Sequence, residues 1–113
     1  MNKVNDTIDI DKAKCRVMDM TQLMYFLRFN TQIFWSWGAS AFTTNHDKTM
    51  FRMFVRGHHH VGHVYIFLSG VDLFEVYLTT LKGKIVKVSE GLYNDQLQDW
   101  IDVNIEKMGD YVF

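Results

Sequence analysis

Four histidines lie close together near the middle of the chain, at positions 58, 59, 60 and 63. Imidazole nitrogens bind zinc, nickel and copper, so this spacing could build a metal site. In an extended segment His58 and His60 point to the same side, and a turn could bring His63 beside them. The segment contains no Asp, Glu or Cys to complete a structural zinc set. We therefore predict no metal or other cofactor, and assign His58 and His60 to a patch that contacts a partner or responds to pH.

The acidic residues concentrate at the C-terminal end of the chain. Between residues 90 and 113 there are six acids and one base. Helical spacing puts four of these carboxylates in one outer stripe of a predicted final helix: Asp95, Asp99, Asp102 and Glu106. Such a stripe can imitate a row of phosphates and occupy the basic groove of a nucleic-acid enzyme, although the solvated face of any amphipathic helix would look the same. We predict that these four residues contact a partner.

Aromatic residues alternate on the predicted strands, with basic residues nearby. The aromatic set is Trp35, Trp37, Tyr65, Phe67 and Tyr77, and the basic set is Arg52, Arg56, Lys82, Lys84 and Lys87. A sheet of this kind can stack the bases of single-stranded nucleic acid. The same aromatic face could line a homodimer interface or a groove for another protein. Because the net charge is −1, protein contact is favoured, and we assign Tyr65 and Phe67 to it.

Catalytic signatures are weak throughout the sequence. Cys15 with a histidine, or His46 and Asp47 near Thr44, supply residue types that a nucleophilic mechanism uses, but no local signature accompanies them. No glycine-rich phosphate loop precedes a helix. We predict that the protein is not an enzyme and has no catalytic residues. Stoichiometric metal in protein purified without chelating resin would instead support a metal-dependent enzyme at the histidines.

The elements that must position these residues follow from hydrophobic periodicity. We predict a helix from Met18 to Arg28, capped by Asp19 or Thr21, and a final helix that begins at Asn94 or Asp95. Five predicted strands lie between them: Thr31–Trp37, Met50–Val55, His63–Ser69, Leu73–Thr80 and Ile85–Ser89. Short connections favour an antiparallel meander. The sequence therefore predicts an α+β fold in the order α-β-β-β-β-β-α, with both helices on one face of the sheet in two layers.

Length and composition set the remaining expectations. The chain has 113 residues and is 48% hydrophobic, which suits one folded domain over residues 19–113 after a flexible N-terminal arm at residues 1–18. Its single cysteine cannot form an internal disulfide, and this favours a cytoplasmic protein. No apolar run is long enough to cross a membrane, and no signal peptide is recognisable.

The stretch from Ile33 to Met108 resembles small proteins carried by phages and mobile elements of gut Bacteroidetes. Three features carry the resemblance: the small-residue turn Trp37–Ser40, the segment His63–Leu78 (HVYIFLSGVDLFEVYL), and the pattern GxYxDxLQ at Gly91–Gln98 that opens the final helix. Similar proteins often bind and block a host machine, including CRISPR nucleases. The resemblance implies no catalytic residues.

These observations favour a non-enzymatic binding protein of phage or mobile-element origin that acts in the cytoplasm of a bacterial host. The resemblance implies that its partner is a host protein, such as a nucleic-acid-processing defence complex, and that it inhibits this complex as anti-CRISPR proteins do. A homodimer would be favoured if an apolar sheet face were exposed. The alternative is a small module that binds single-stranded nucleic acid through the aromatic and basic face of the sheet.

Overall fold

The computed structural model describes residues 16–69 and 71–105. Three helices and five strands follow one another along this part of the chain: α1 (Met20–Leu27), α2 (Thr31–Ser36), β1 (Ser40–Thr44), β2 (Phe51–Arg56), β3 (Val61–Leu68), β4 (Phe74–Thr79), β5 (Ile85–Leu92) and α3 (Leu97–Ile105). A short 3-10 helix at Asn94–Gln96 leads into α3. The strands pair in the order β1-β2-β3-β4-β5, each antiparallel to the next. The predicted α+β class and five-stranded meander are confirmed.

Alternation along the strands creates two different faces of the sheet. The first face turns Met53, Val64 and Val76 towards the helices, which contribute Leu23, Leu27, Leu97, Ile101 and Ile105 to the same buried cluster. Burying one aliphatic side chain of this size stabilises a fold by about 1.5–3 kcal/mol. Because this interface contains the larger buried cluster, it supplies most of the hydrophobic stabilisation. A smaller buried cluster of Met50, Tyr65, Phe67 and Tyr77 lies on the second face. The described helices all pack on the first face, as the two-layer prediction requires.

Thr31 to Trp37, predicted as the first strand, is instead helical, and this correction has a local cause. The side chain of Asn30 caps α2, because its Oδ1 accepts hydrogen bonds from the amides of Gln32 at 3.1 Å and Ile33 at 3.3 Å. Phe34 and Trp37, spaced for one helix face, are then both buried. Packing and capping therefore outweigh the preference of β-branched and aromatic residues for strands.

The first strand of the sheet lies between the first two predicted strands, in a segment for which the sequence predicts no strand. β1 pairs with β2 through Ser40 opposite Phe54 and Thr43 opposite Arg52, with an irregularity between these pairs. Ala41, inside the irregularity, has φ 53°, in the left-handed region. Every residue of β1 is exposed, so this edge strand shows none of the alternation by which a strand is predicted. The other four predicted strands overlap β2 to β5.

Most of the predicted flexible arm, residues 1–15, lies outside the described residues. Its last three residues, 16–18, are described and make main-chain hydrogen bonds to β3 and to the β1–β2 connection. The amide of Arg16 donates to the carbonyl of Leu68 at 2.8 Å, and the amide of Met18 donates to Lys48 at 2.9 Å. The guanidinium of Arg16 also pairs with Asp72. Asp19 caps α1, as predicted.

Membrane insertion through a helix finds no support in the described part of the chain. None of the helices there has the length and apolar character needed to cross a bilayer.

Candidate functional site

A groove with a volume of about 280 Å³ lies where the α1–α2 hairpin meets the start of α3. We call it the aromatic–acidic groove. Its apolar wall consists of Tyr25, Phe26, Phe29 and Ile33, and its polar wall consists of Asn94, Asp95, Gln98 and Asp99. The sequence predicts two of these residues, Asp95 and Asp99, as partner contacts. The structure adds an aromatic wall opposite them.

Gln98 holds the two walls of the groove together. Its side-chain amide donates to the carbonyl of Leu27 at 2.8 Å and to that of Asn30 at 2.9 Å, and its Oε1 accepts from the amide of Asn30 at 3.2 Å. These bonds satisfy main-chain groups at the end of α1 and the start of α2, which a helix cannot satisfy itself. The width of the groove is therefore set by a side chain of α3 rather than by surface loops.

Tyr25 and Phe29 form an exposed aromatic ridge along the groove. The Tyr25 side chain is 64% exposed and that of Phe29 is 75% exposed, and their rings meet edge to face with centroids 6.4 Å apart. Behind the ridge, Met20, Met24 and Arg28 line a second, more open depression. Neighbouring aromatic rings this exposed are typical of protein-binding surfaces, where aromatic residues are enriched.

Sequence reasoning overlooked this ridge although a signal for it exists. Leu23 and Leu27 face the core in α1. Tyr25 lies on the opposite side of α1, and Phe29 follows two residues after the helix ends at Leu27; both are exposed. A search for large apolar residues outside the buried stripe of the first helix would have found them.

Asp95 and Asp99 form the acidic rim of the groove. Both are exposed, and they stand four residues apart where the 3-10 helix passes into α3. Asp99, in the first turn of α3, also interacts favourably with the positive end of that helix. Among the described residues that line the groove, none is basic. The groove is therefore negative on one side and aromatic on the other.

Asp102 does not belong to the outer acidic stripe, and its prediction as a partner contact needs correction. Its side chain is 2% exposed, and its Oδ1 accepts a hydrogen bond of 3.0 Å from the indole Nε1 of Trp37. Asp102 follows the buried Ile101 on the side of α3 that faces α2. Glu106 lies outside the described residues. The predicted row of four carboxylates is thus reduced to Asp95 and Asp99 in the described part of the chain.

The histidine turn between β2 and β3 packs against the other end of α3. The amide of His59 donates to the carbonyl of Ile105 at 2.6 Å, and the amide of Gly57 donates to His60 at 2.9 Å. A Cβ atom at Gly57 would overlap Cγ2 of Ile105 and come within 2.5 Å of its carbonyl oxygen. The main chain of this turn therefore packs against the C-terminal end of α3 and forms a hydrogen bond to it. The side chains of His58 and His59 are exposed.

Two of the histidines have perturbed titration. Burial lowers the pKa of His60, whose Nε2 is buried with no hydrogen-bond partner. Burial is also the main cause that lowers the pKa of His63, and the positive charges of Arg52 and His60 lower it further. Within residues 16–69 and 71–105, no group of three or more His, Cys, Asp or Glu side chains is placed to hold a metal ion.

The aromatic residues predicted to contact a partner or to stack bases are not available on the sheet. Tyr65 and Phe67 lie together on its second face, as the alternation predicts, but both are buried, with Phe67 0% exposed. Trp35 and Trp37 are not on a strand: Trp35 is exposed on α2, and Trp37, which follows α2, is buried in the core. The structure therefore brings Tyr65, Phe67 and Tyr77 together in a buried cluster and places Trp35 and Trp37 elsewhere.

The described residues that were considered for catalysis lie at one exposed turn. His46 and Asp47 lie in the exposed turn between β1 and β2. The Thr44 hydroxyl donates to the carbonyl of Met50 at 2.8 Å and so supports the same turn. Cys15 lies outside the described residues.

Comparisons of the chain with protein-family models, with curated proteins and with solved structures found no match.

Proposed function

We propose that this protein is a non-enzymatic binding protein that acts by protein–protein contact through the aromatic–acidic groove. The observation that carries the proposal is the pair of exposed rings, Tyr25 and Phe29, facing the carboxylates of Asp95 and Asp99 across one groove. Its resemblance to proteins of phages and mobile elements makes a host defence complex, such as a CRISPR effector, the candidate target. The encounter takes place in the host cytoplasm, and its outcome is inhibition of that complex.

The aromatic ridge supports this proposal on energetic grounds. A few residues, most often Trp, Tyr and Arg, supply most of the free energy of a protein interface. Aromatic side chains combine a large contact area with few rotatable bonds, so their burial costs little conformational entropy. Tyr25 and Phe29 are further braced against each other by their edge-to-face contact. They meet the requirements for anchors that insert into a partner.

The acidic rim supports a basic partner in particular. Surface carboxylates steer the approach of a positively charged surface and select against acidic ones. Proteins that process nucleic acids present such basic surfaces. With Asp102 buried, residues 16–69 and 71–105 offer a short acidic rim beside a hydrophobic anchor, in place of the longer phosphate-like row that the sequence predicts. The sheet face supports neither the predicted partner contact nor the nucleic-acid-binding alternative, because Tyr65 and Phe67 are buried.

Affinity capture from a bacterial host lysate tests the proposal. Tagged wild-type protein is compared with the double variant Tyr25→Ala/Phe29→Ala and with Leu81→Ala, which removes a side chain of similar exposure elsewhere. Captured proteins are quantified by mass spectrometry with and without nuclease treatment. We expect a nuclease-resistant protein complex that the wild type and Leu81→Ala capture and the double variant loses.

The activity of the captured complex completes this test. Addition of the wild-type protein to the purified complex is expected to inhibit its nuclease activity, and the double variant is expected not to do so. Equal capture by all three proteins, or recovery of nucleic acid alone, would show that the groove is not a protein-binding site.

A further inference from the structure

The aromatic–acidic groove has the dimensions and chemistry of a site for a single side chain. Its volume of about 280 Å³ is too small for a helix or strand to enter, yet its two walls differ sharply in character. We infer that the groove binds an arginine side chain of the protein partner, with the guanidinium between the rings of Tyr25 and Phe29 and the carboxylates of Asp95 and Asp99. This inference rests on the proposed function and names the group that the partner inserts.

The aromatic wall favours a cation that is flat and weakly hydrated. Cations are attracted to the faces of aromatic rings within about 6 Å of the ring centroid. The guanidinium also stacks on aromatic rings through its planar surface, and it gives up its water more readily than the compact ammonium group of lysine does. Tyr25 and Phe29, which are exposed and adjacent, offer such a surface.

The acidic wall favours the same group. A guanidinium has five N–H donors in a fixed fork that matches carboxylate oxygens, so that it can bond Asp95 and Asp99 together. An apolar side chain in this position would remove water from both carboxylates without replacing its hydrogen bonds, and this is unfavourable.

Two uncharged polar residues, Asn94 and Gln98, also line the groove, and Gln98 does not compete for the ligand. Both amide protons of Gln98 are donated to main-chain carbonyls, and its oxygen accepts from Asn30. Gln98 therefore acts as a fixed floor, and recognition of charge falls to the two carboxylates. Because this floor is held by three hydrogen bonds, the groove is already formed before a partner arrives.

A titration followed by NMR tests the inference on the full chain. The probe is N-acetyl-arginine methylamide, and the matched control is the corresponding citrulline compound, which has the same shape and no charge. We expect saturable shifts of the amides of Asp95, Gln98 and Asp99 with the arginine probe. Binding of the citrulline compound should be weaker by about fivefold or more, because it lacks the charge that both walls attract.

Two single variants sharpen the titration. Asp99→Asn and Tyr25→Leu should each weaken binding of the arginine probe by about two- to fivefold, as expected for one partly exposed ionic or cation–aromatic contact. Glu90→Gln, which neutralises an exposed acid on β5, should leave the affinity unchanged. Equal affinity for the two probes, or shifts that lie outside the groove, would overturn the inference.

The NMR titration and the lysate capture test different claims, so that one claim can be wrong while the other stands. If a host complex is captured through Tyr25 and Phe29 while the arginine probe causes no shift in the groove, the arginine inference is wrong and the proposed function stands. If neither a captured complex nor a probe shift is found, both are wrong.

Discussion

A cluster of unusual residues lies at each end of α3. One cluster packs against the helix, and the other is exposed to solvent. At its C-terminal end, the histidine turn bonds Ile105 through the amide of His59 and fits against it through Gly57. At its N-terminal end, Asp95 and Asp99 remain exposed beside the aromatic ridge. The first cluster has a structural task that accounts for its position, and the second has exposed groups beyond what folding needs. An unusual group of residues is therefore a better indication of function when its side chains are exposed than when they hold the fold together.

The largest effect is expected at Gly57. In Gly57→Ala the new methyl group would overlap Ile105, including its main chain, which no rotamer change can relieve. We expect the free energy of unfolding to fall by about 3 kcal/mol, at the upper end of the usual cost of overpacking. Urea denaturation measures this change. The matched control is Gly91→Ala, where a Cβ would make only an ordinary contact, 3.7 Å from Leu73 Cδ1. Equal stability of the two variants would show that the turn does not pack tightly on α3.

A smaller loss is expected when the buried carboxylate of α3 is removed. In Asp102→Ala the indole Nε1 of Trp37 loses its acceptor inside the core. Leaving a buried donor without a partner costs about 1–3 kcal/mol. The same denaturation experiment should show a change of less than about 0.5 kcal/mol for Asp99→Ala, because Asp99 is exposed. Similar losses in both variants would contradict the division of the acidic stripe into a buried and an exposed part.

The smallest expected effect is a loss of stability at low pH, caused by His60 and His63 near the histidine turn. The pKa of His60 and that of His63 are lowered in the fold from the ordinary value of 6.5. As the pH falls through 6.5, the two histidines take up protons in the unfolded chain before they do so in the folded one. Stability is therefore lost as the pH falls from 6.5 towards the lower pKa that each histidine has in the fold. Because both rings are partly hydrated, we expect this loss of stability to be smaller than that of Gly57→Ala or Asp102→Ala.

Thermal unfolding between pH 7.5 and 5 checks this expectation. The double variant His60→Gln/His63→Gln should lose less stability over this range than the wild type does. His46→Gln, in the exposed β1–β2 turn, is the control and should follow the wild type. A double variant with the wild-type pH profile would show that these two rings do not govern it.

The parts of the fold that the sequence predicts are those with a local signal. β2 alternates along its length, β3 and β4 are mostly apolar and buried, and Asp19 and the stripe Leu97–Ile101–Ile105 mark the helices. β1 has no such signal, because all its residues are exposed. α2 has a local signal in its Asn30 cap, which competes with the strand preference of Thr31–Trp37, and Gln98 on α3 adds a distant contact to the turn before it.

The errors at the candidate site follow from the error in the fold. Asp102 is buried because Trp37 turns its indole towards it, and Trp37 has this position because the segment before it is a helix. With Thr31–Trp37 predicted as a strand, nothing in the sequence distinguishes Asp102 from Asp99. The prediction of Asp95 and Asp99 did not depend on this segment, and both are exposed in the structure. Tyr25 and Phe29 were overlooked because only the buried stripe of the first helix was considered, and Phe29 lies just after that helix.

Charge reversal at the groove tests the central claim most directly, provided that it spares Asp102. The affinity of the captured host complex is measured for the wild type, for Asp95→Lys/Asp99→Lys and for the control Glu90→Lys, each with its free energy of unfolding. The claim predicts that the double reversal weakens binding by about tenfold or more, since it sets like charges against each other, while the control binds as the wild type does. Unchanged affinity in a folded double variant would contradict the claim that the acidic end of α3 is the protein's binding surface.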